Sequence, residues 1–232
     1  MRIVIVGSGR MGRTVAALAE QRGHAIHRVI GSKENPEGRA LMPAALAGAD
    51  VAIEFTRPDV APANLERLIE AGLPTVTGTT GWTADLPRIA ELARQRGSAL
   101  LHAANFSVGV HLFLRAALDL GRRLAGHPEF DAFILEEHHA AKLDTPSGTA
   151  RLLQDGLRQN DPSRSFPITS VRAGAIPGTH VVTYDGPYEA VSLSHVARSR
   201  DGFAAGALAA AEWLPAHPGV HRFEDMLFGE TG

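Results

Sequence analysis

Residues 2–12, RIVIVGSGRMG, constrain the fold of this 232-residue chain more than any other stretch. The run from Arg2 to Val6 is β-branched and almost continuously apolar, which is how a strand buried on both faces of a parallel sheet reads. Behind it, Met11, Val15, Leu18 and Ala19 fall at i, i+4, i+7 and i+8, one apolar stripe of a helix that Gly23 should end. Gly7, Gly9 and Gly12 lie at the junction. In that context the first glycine permits a tight turn, the second lets backbone approach a pyrophosphate, and the third allows close packing of the helix. The helix N-terminus adds free N–H groups and a positive dipole end. Gly7, Ser8, Gly9, Arg10, Met11 and Gly12 are therefore candidates for holding a dinucleotide; the competing reading is that the glycines serve backbone geometry only.

The alternation continues. Strands are predicted over 25–30, 50–55, 74–77 and 98–103, with helices over 60–71 and 85–96, each closed by a glycine. Strand and helix at this spacing imply right-handed crossovers and a doubly wound parallel sheet. After Asn105 the pattern changes to a helix over 112–124, a strand over 131–137, a helix over 149–158 and β segments over 168–175, 180–184 and 190–197. An Ala-rich helix over 203–214 then returns to the first sheet. The fold class is α/β: an N-terminal Rossmann domain, residues 1–106 plus 199–232, with an inserted α+β domain, residues 107–198, expected to bind the substrate.

Composition narrows the chemistry. Twenty-three basic against 25 acidic residues give a net charge of -2, so no broad basic face awaits nucleic acid or an anionic membrane. No window has the roughly 18 continuous apolar residues of a membrane span, and the N-terminus lacks a signal-peptide pattern, so the chain reads as soluble and cytoplasmic. The absence of cysteine excludes thiolate nucleophiles and Cys-type zinc or iron–sulfur sites. Catalysis falls to His, Lys, carboxylates or a cofactor.

Cofactor choice is read at the end of the second strand, where an Asp or Glu would bind a ribose 2′-hydroxyl. The chain there reads Ile30-Gly31-Ser32-Lys33, so Ser32 and Lys33 suit a 2′-phosphate and NADPH, while Glu34 leaves room for NADH as well. Two further loops follow strands, Gly78-Thr79-Thr80-Gly81 and Ala104-Asn105-Phe106-Ser107. Gly78 would let backbone approach a flat ring, and the Thr79, Thr80 and Asn105 side chains would orient a nicotinamide carboxamide.

The densest polar chemistry is the stretch Glu136-Glu137-His138-His139-Ala140-Ala141-Lys142-Leu143-Asp144-Thr145-Pro146-Ser147-Gly148-Thr149. Pro146 suits a first helical turn capped by Thr145 or Asp144, which would leave the Ser147, Gly148 and Thr149 N–H groups free for a carboxylate. Lys142 adds charge, and His138 or His139 can donate a proton near neutral pH. Adjacent histidines seldom chelate one ion and no third ligand has metal-like spacing, so no metal is expected. The plainer alternative is two structural histidines and a solvated lysine. Other histidines, His111, His180 and His195 among them, read as core or surface residues.

The segments GSGRMGR (7–13), EFTRP (54–58), GTTG (78–81), AANFSVGV (103–110), EEHHAAKLDTPSGTA (136–150) and VRAGAIPGTH (171–180) together resemble the 4-hydroxy-tetrahydrodipicolinate reductase (dihydrodipicolinate reductase) family of lysine and diaminopimelate biosynthesis. The resemblance implies an oxidoreductase using NADPH and/or NADH on a small dicarboxylate, with His138 as proton donor and Lys142 as the second catalytic residue. It implies that His139, Gly148 and Thr149 bind the substrate carboxylates. Cofactor contacts would come from residues 7–12, Arg57, the 78–80 loop and Ala103, Ala104, Asn105 and Phe106. Family members are commonly homotetramers assembled through the sheets of the substrate domain. Two features depart from the family: Ala140 stands where Arg often follows the His pair, and the usual acid after the second strand is missing. Other readings are a reductase or dehydrogenase of another amino or imino acid, and a non-catalytic NAD(P)H sensor.

Overall fold

The computed structural model describes residues 1–229, apart from the Glu37 side chain. Residues 230–232, the end of the expected first domain, lie outside the described residues. The chain forms two compact units, Met1–Ser107 with the residues from Arg200 onward, and Val108–Ser199.

The first unit contains β1 (Arg2–Val6), α1 (Arg10–Gln21), β2 (Ala25–Ile30), a 3-10 turn (Pro36–Leu41), α2 (Pro43–Leu46), β3 (Val51–Glu54), α3 (Ala61–Glu70), β4 (Thr75–Thr77), α4 (Leu86–Arg96) and β5 (Ala99–His102). Its strands pair in parallel in a six-stranded sheet whose sixth member, β10 (Gly219–Arg222), is contributed from beyond the second unit, giving the order β10-β5-β4-β3-β1-β2. The apolar run of β1 is buried on both sides. Ile3 and Ile5 pack with Val15, Ala19 and the alanines of α7 (Asp201–Trp213), while Val4 and Val6 pack with Ile30, Leu41 and Leu68. Each such side chain contributes about 1.5–3 kcal/mol on burial, which is why β1 sits centrally and carries the glycine turn. The chain runs from β1 outward to β2, then back across to β3, β4 and β5, so the order reverses beside β1, where open α/β sheets bind ligands. The strand β10 was not predicted: as an edge strand with one neighbour, β5, it needs no long apolar run, and its four residues are at best half-buried. A final helix, α8 (Phe223–Phe228), follows it.

The second unit contains α5 (Val108–Leu124), β6 (Asp131–His138), α6 (Gly148–Asn160), β7 (Ile168–Arg172), β8 (Thr179–Asp185) and β9 (Ala190–Val196). Its sheet runs β7-β6-β8-β9, with β6 and β7 parallel and the other pairs antiparallel. The helix α5 starts at Val108 rather than at residue 112: Val108, Gly109 and Val110 are poor helix formers, and burial of Val110 and His111 overrides propensity. One face of the sheet is covered by Phe113, Ala117, Leu153 and Leu157 from the two helices, against Ala132, Ile134, Val182 and Tyr184. Along β6 burial alternates with period two, so Glu136 and His138 continue the inward row begun by Ala132 and Ile134. Among the described residues no helix is long and apolar enough to cross a membrane.

Candidate active site

At the β1–α1 turn Gly7 adopts φ +113°, and a Cβ there would lie 2.0 Å from the Phe55 carbonyl oxygen. At Gly12 a Cβ would lie 1.8 Å from the Gly7 oxygen, so this glycine serves close helix packing. Gly9 differs: a Cβ there meets nothing within 4 Å. Its bareness has no packing explanation, and it borders a groove of about 330 Å³ lined by Gly9, Arg10, Met11, Phe55, Thr56, Pro58, Gly78, Thr79 and Thr80. This is the fit a dinucleotide requires. Gly9→Ala should therefore leave thermal unfolding unchanged while weakening NAD(P)H binding by tenfold or more, about 1.4 kcal/mol. Gly12→Ala should instead destabilise the fold by about 1–3 kcal/mol through overpacking; paired melting and titration curves separate the two.

One cofactor-side expectation needs correction, and two others gain detail. An acidic group does stand at the end of β2: the Glu34 carboxylate folds back and accepts the Gly31 N–H at 3.0 Å. Because the acid is four residues past the strand, only the turn geometry brings it there. Gly78 lines the groove, and its bareness also has a packing reason, since a Cβ would collide with the Phe55 ring at 2.0 Å. The Thr79 hydroxyl is spent on the buried Glu54 carboxylate at 3.0 Å, while Thr80 remains exposed on the groove. Elsewhere, Arg57 makes a two-pronged ion pair with Asp59 at 3.0 and 2.7 Å, and Ser32 and Lys33 are exposed. Phe106 is a core residue packed edge-on against Phe55 and Phe223, with Ala103 half-buried and Ala104 exposed before it; the Asn105 Oδ1 accepts the Ser107 N–H at 2.8 Å.

In the second unit the inward row of β6 ends in a polar cluster. His138 Nδ1 lies 2.5 Å from Glu136 Oε2, in ion-pair contact off the ideal hydrogen-bond line. Arg172 donates to Glu136 Oε1 at 2.7 Å and to the Asp144 carbonyl at 2.7 Å. Pairing explains the meeting: Arg172 is the β7 partner of His138, and His180 is the β8 partner of Glu136. Burial pushes the Glu136 carboxyl up, but the hydrogen bond and charge of Arg172 with the charge of His138 more than reverse this and hold it at about 2. Burial pulls His138 below its ordinary 6.5, against the opposing pull of Glu136. His180, buried and beside His138, is pulled down to about 4 and is neutral at pH 7.

The loop beyond β6 departs from expectation in its cap. Pro146 precedes the helix and Ser147 is the N-cap, its hydroxyl accepting from the Ala150 N–H at 3.3 Å and lying 3.2 Å from His180 Nε2. The Ser147 N–H is not free but donates to Glu136 at 3.4 Å, and the Gly148 N–H is turned to the Asp144 carboxylate. Of the three expected anion-binding amides, Thr149 is the one with no such engagement described. Lys142 Nζ pairs with Asp144 at 2.6 Å, and Arg151 holds the Thr145 and Pro146 carbonyls, both at 3.1 Å.

The models of two family segments match this chain, dihydrodipicolinate reductase N-terminus over residues 1–106 and dihydrodipicolinate reductase C-terminus over residues 109–227. The chain belongs to the dihydrodipicolinate reductase family. Among relatives, the 4-hydroxy-tetrahydrodipicolinate reductase of Christiangramia forsetii is 36% identical over 238 residues, 98% of both chains. That of Myxococcus xanthus is 34% identical over 270 residues, 98% of this chain and 97% of its own. A dipicolinate-bound dihydrodipicolinate reductase from Paenisporosarcina sp. TG-14 shares the fold, with a TM-score of 0.81 at 19% identity over 97% of this chain and 99% of its own.

For this member of the dihydrodipicolinate reductase family, sequence reasoning missed the surroundings of His138. His180 was read as an ordinary histidine, yet its ring lies 5.1 Å from that of His138. Arg172 and Glu136 drew no role, although together they fix the imidazole. The signal available was the inward parity of Glu136 with His138; the cross-strand register that adds Arg172 and His180 was not readable. Among the described residues no third ligand joins the adjacent pair His138 and His139; a different group of ligand atoms, from Glu136, His138 and His180, lies within 4.8 Å of one another. Arg172 already delivers positive charge to that carboxylate, so the cluster is an ion-pair network rather than a vacancy for a cation.

Proposed function

We propose that the chain catalyses the NAD(P)H-dependent reduction of 4-hydroxy-tetrahydrodipicolinate to tetrahydrodipicolinate, the activity named for its relatives. The observation that carries this reading is the pairing of His138 with a buried, ionised Glu136 in a chain whose glycine turn leaves Gly9 open to a dinucleotide. A bound reduced dinucleotide supplies hydride. The chain supplies the rest: Nδ1 of His138 faces Glu136, so Nε2 is the nitrogen left to deliver the proton, and departure of the substrate hydroxyl as water completes the balance. Lys142 adds cationic charge, and the Thr149 backbone with the His139 ring forms the carboxylate end of the site, the Gly148 N–H being already engaged by Asp144. Between the nucleotides, the Glu34 carboxylate at the end of β2 favours a free ribose 2′-hydroxyl over a 2′-phosphate, so NADH is the better partner and NADPH the weaker one. The outer face of the second unit's sheet carries Phe133, Leu135, Val171, Val181 and Val196, and Phe133 and Val196 are 42% and 59% exposed. A homotetramer would bury this face.

Cofactor oxidation followed spectrophotometrically, with substrate generated in place by a synthase, tests the reading. Oxidation dependent on that substrate supports it, and turnover only with other imino acids would overturn it. In the same assay Glu34→Ala should narrow the preference for NADH over NADPH by about tenfold; an unchanged ratio would remove Glu34 from cofactor choice.

A further inference from the structure

Among the described residues of the first unit, the most deeply buried acidic side chain plays no part in the chemistry above. Glu54, the last residue of β3, is 0% exposed, in a strand whose other members are Val51, Ala52 and Ile53. A carboxyl there costs several kcal/mol of desolvation, where an apolar residue would continue the strand at none. Burial pushes its pKa up, and the four hydrogen bonds that oppose this still leave it above the ordinary carboxyl value. Oε1 accepts the Thr56 N–H at 3.1 Å, the Thr79 hydroxyl at 3.0 Å and, at very short range, the Thr56 hydroxyl; Oε2 accepts the Thr77 hydroxyl at 2.5 Å.

These donors belong to two loops. Thr56 lies in the loop after β3, and Thr77 and Thr79 lead into the loop after β4. Both loops line the groove beside Gly9. All three threonine hydroxyls donate to the carboxyl oxygens, which leaves their own oxygens as acceptors on the outside. Thr79 Oγ1 accordingly accepts the Thr56 N–H at 2.7 Å, which cross-links the loops directly. From the other side, Trp82 Nε1 donates to the Thr79 carbonyl at 2.7 Å, and the Gly78 N–H donates to the Glu54 carbonyl at 2.9 Å. The two loops are thus held as one rigid wall.

The sheet order gives this wall its place on the ligand. The ends of β3 and β4 lie on the side of β1 opposite to β2. A dinucleotide whose pyrophosphate crosses the glycine turn has its adenosine half toward β2, beside Glu34, and its other half toward β3 and β4. We infer that Glu54 is a positioning residue for the nicotinamide half of the cofactor: its carboxyl clamps the Thr56 and Thr79 loops into the wall on which that half rests. This rests on the dinucleotide reading above.

Calorimetric titration of the full chain with NADH and with ADP-ribose, which lacks the nicotinamide, tests the inference. In Glu54→Gln the amide turns a donor toward threonine donors and breaks the clamp. NADH affinity should fall about tenfold while ADP-ribose affinity stays within about twofold of wild type. Equal losses for both ligands would mean general damage, and no loss for either would mean a clamp without a ligand; both outcomes overturn the inference. Wild-type protein that binds neither ligand refutes the dinucleotide reading itself. If Glu54→Gln does not fold, Thr77→Val removes one donor to Oε2 alone and should show the same asymmetry at smaller size, with a symmetric loss again decisive against the clamp.

Discussion

His138→Gln should lower turnover by about 10²–10⁴-fold, the range a positioned general acid supplies, with the dissociation constant for NADH unchanged. The amide keeps the approximate size but cannot hand over a proton. Burial holds the His138 pKa below 6.5, so the free enzyme carries the imidazolium only toward acid pH. The wild-type kcat/KM should accordingly fall as pH rises through a value under 6.5, and this limb should vanish in the variant. Lys142→Ala should reduce turnover in the same direction. Turnover within about threefold of wild type in both variants, set against that expected range, would take the proton-donor role away from this loop.

Arg172→Met should cost about 3–5 kcal/mol of stability at pH 7, because it strips the guanidinium from a carboxylate that is 0% exposed. Three contacts go at once, those to Glu136, to the Asp144 carbonyl and to the Val171 carbonyl. The pH dependence follows from the depressed Glu136 pKa. Unfolded, this carboxyl titrates near its ordinary 4.5; folded, it titrates at about 2. Between those values the unfolded chain binds more protons, so stability rises with pH there. The contribution of the pair is complete above 4.5 and is lost as pH falls toward 2, so the gap between wild type and variant should be full at neutral pH and should narrow in acid. Urea unfolding at neutral pH and near pH 3 measures both gaps; a loss under about 1 kcal/mol at neutral pH would show that the pair contributes no more than a surface one.

The sequence by itself determined the parts that depend on neighbours in the chain. The apolar run of β1, its glycine turn and the stripe of α1 are local patterns, and they locate a dinucleotide groove because period and turn chemistry act over a few residues. The parity that sends Glu136 and His138 to one face of β6 is local as well. Only the tertiary structure decided who meets them there: Arg172 and His180 reach Glu136 through strand register, a relation between segments more than thirty residues apart that no local pattern encodes. The same holds for Glu34, which an irregular turn swings back to the end of β2, for Ser147, which takes the cap from its predecessors, and for β10, an edge strand too short and too polar to announce itself. Propensity and period choose the elements; cross-strand pairing and loop geometry, set by burial of the whole core, choose the chemistry that gathers between them.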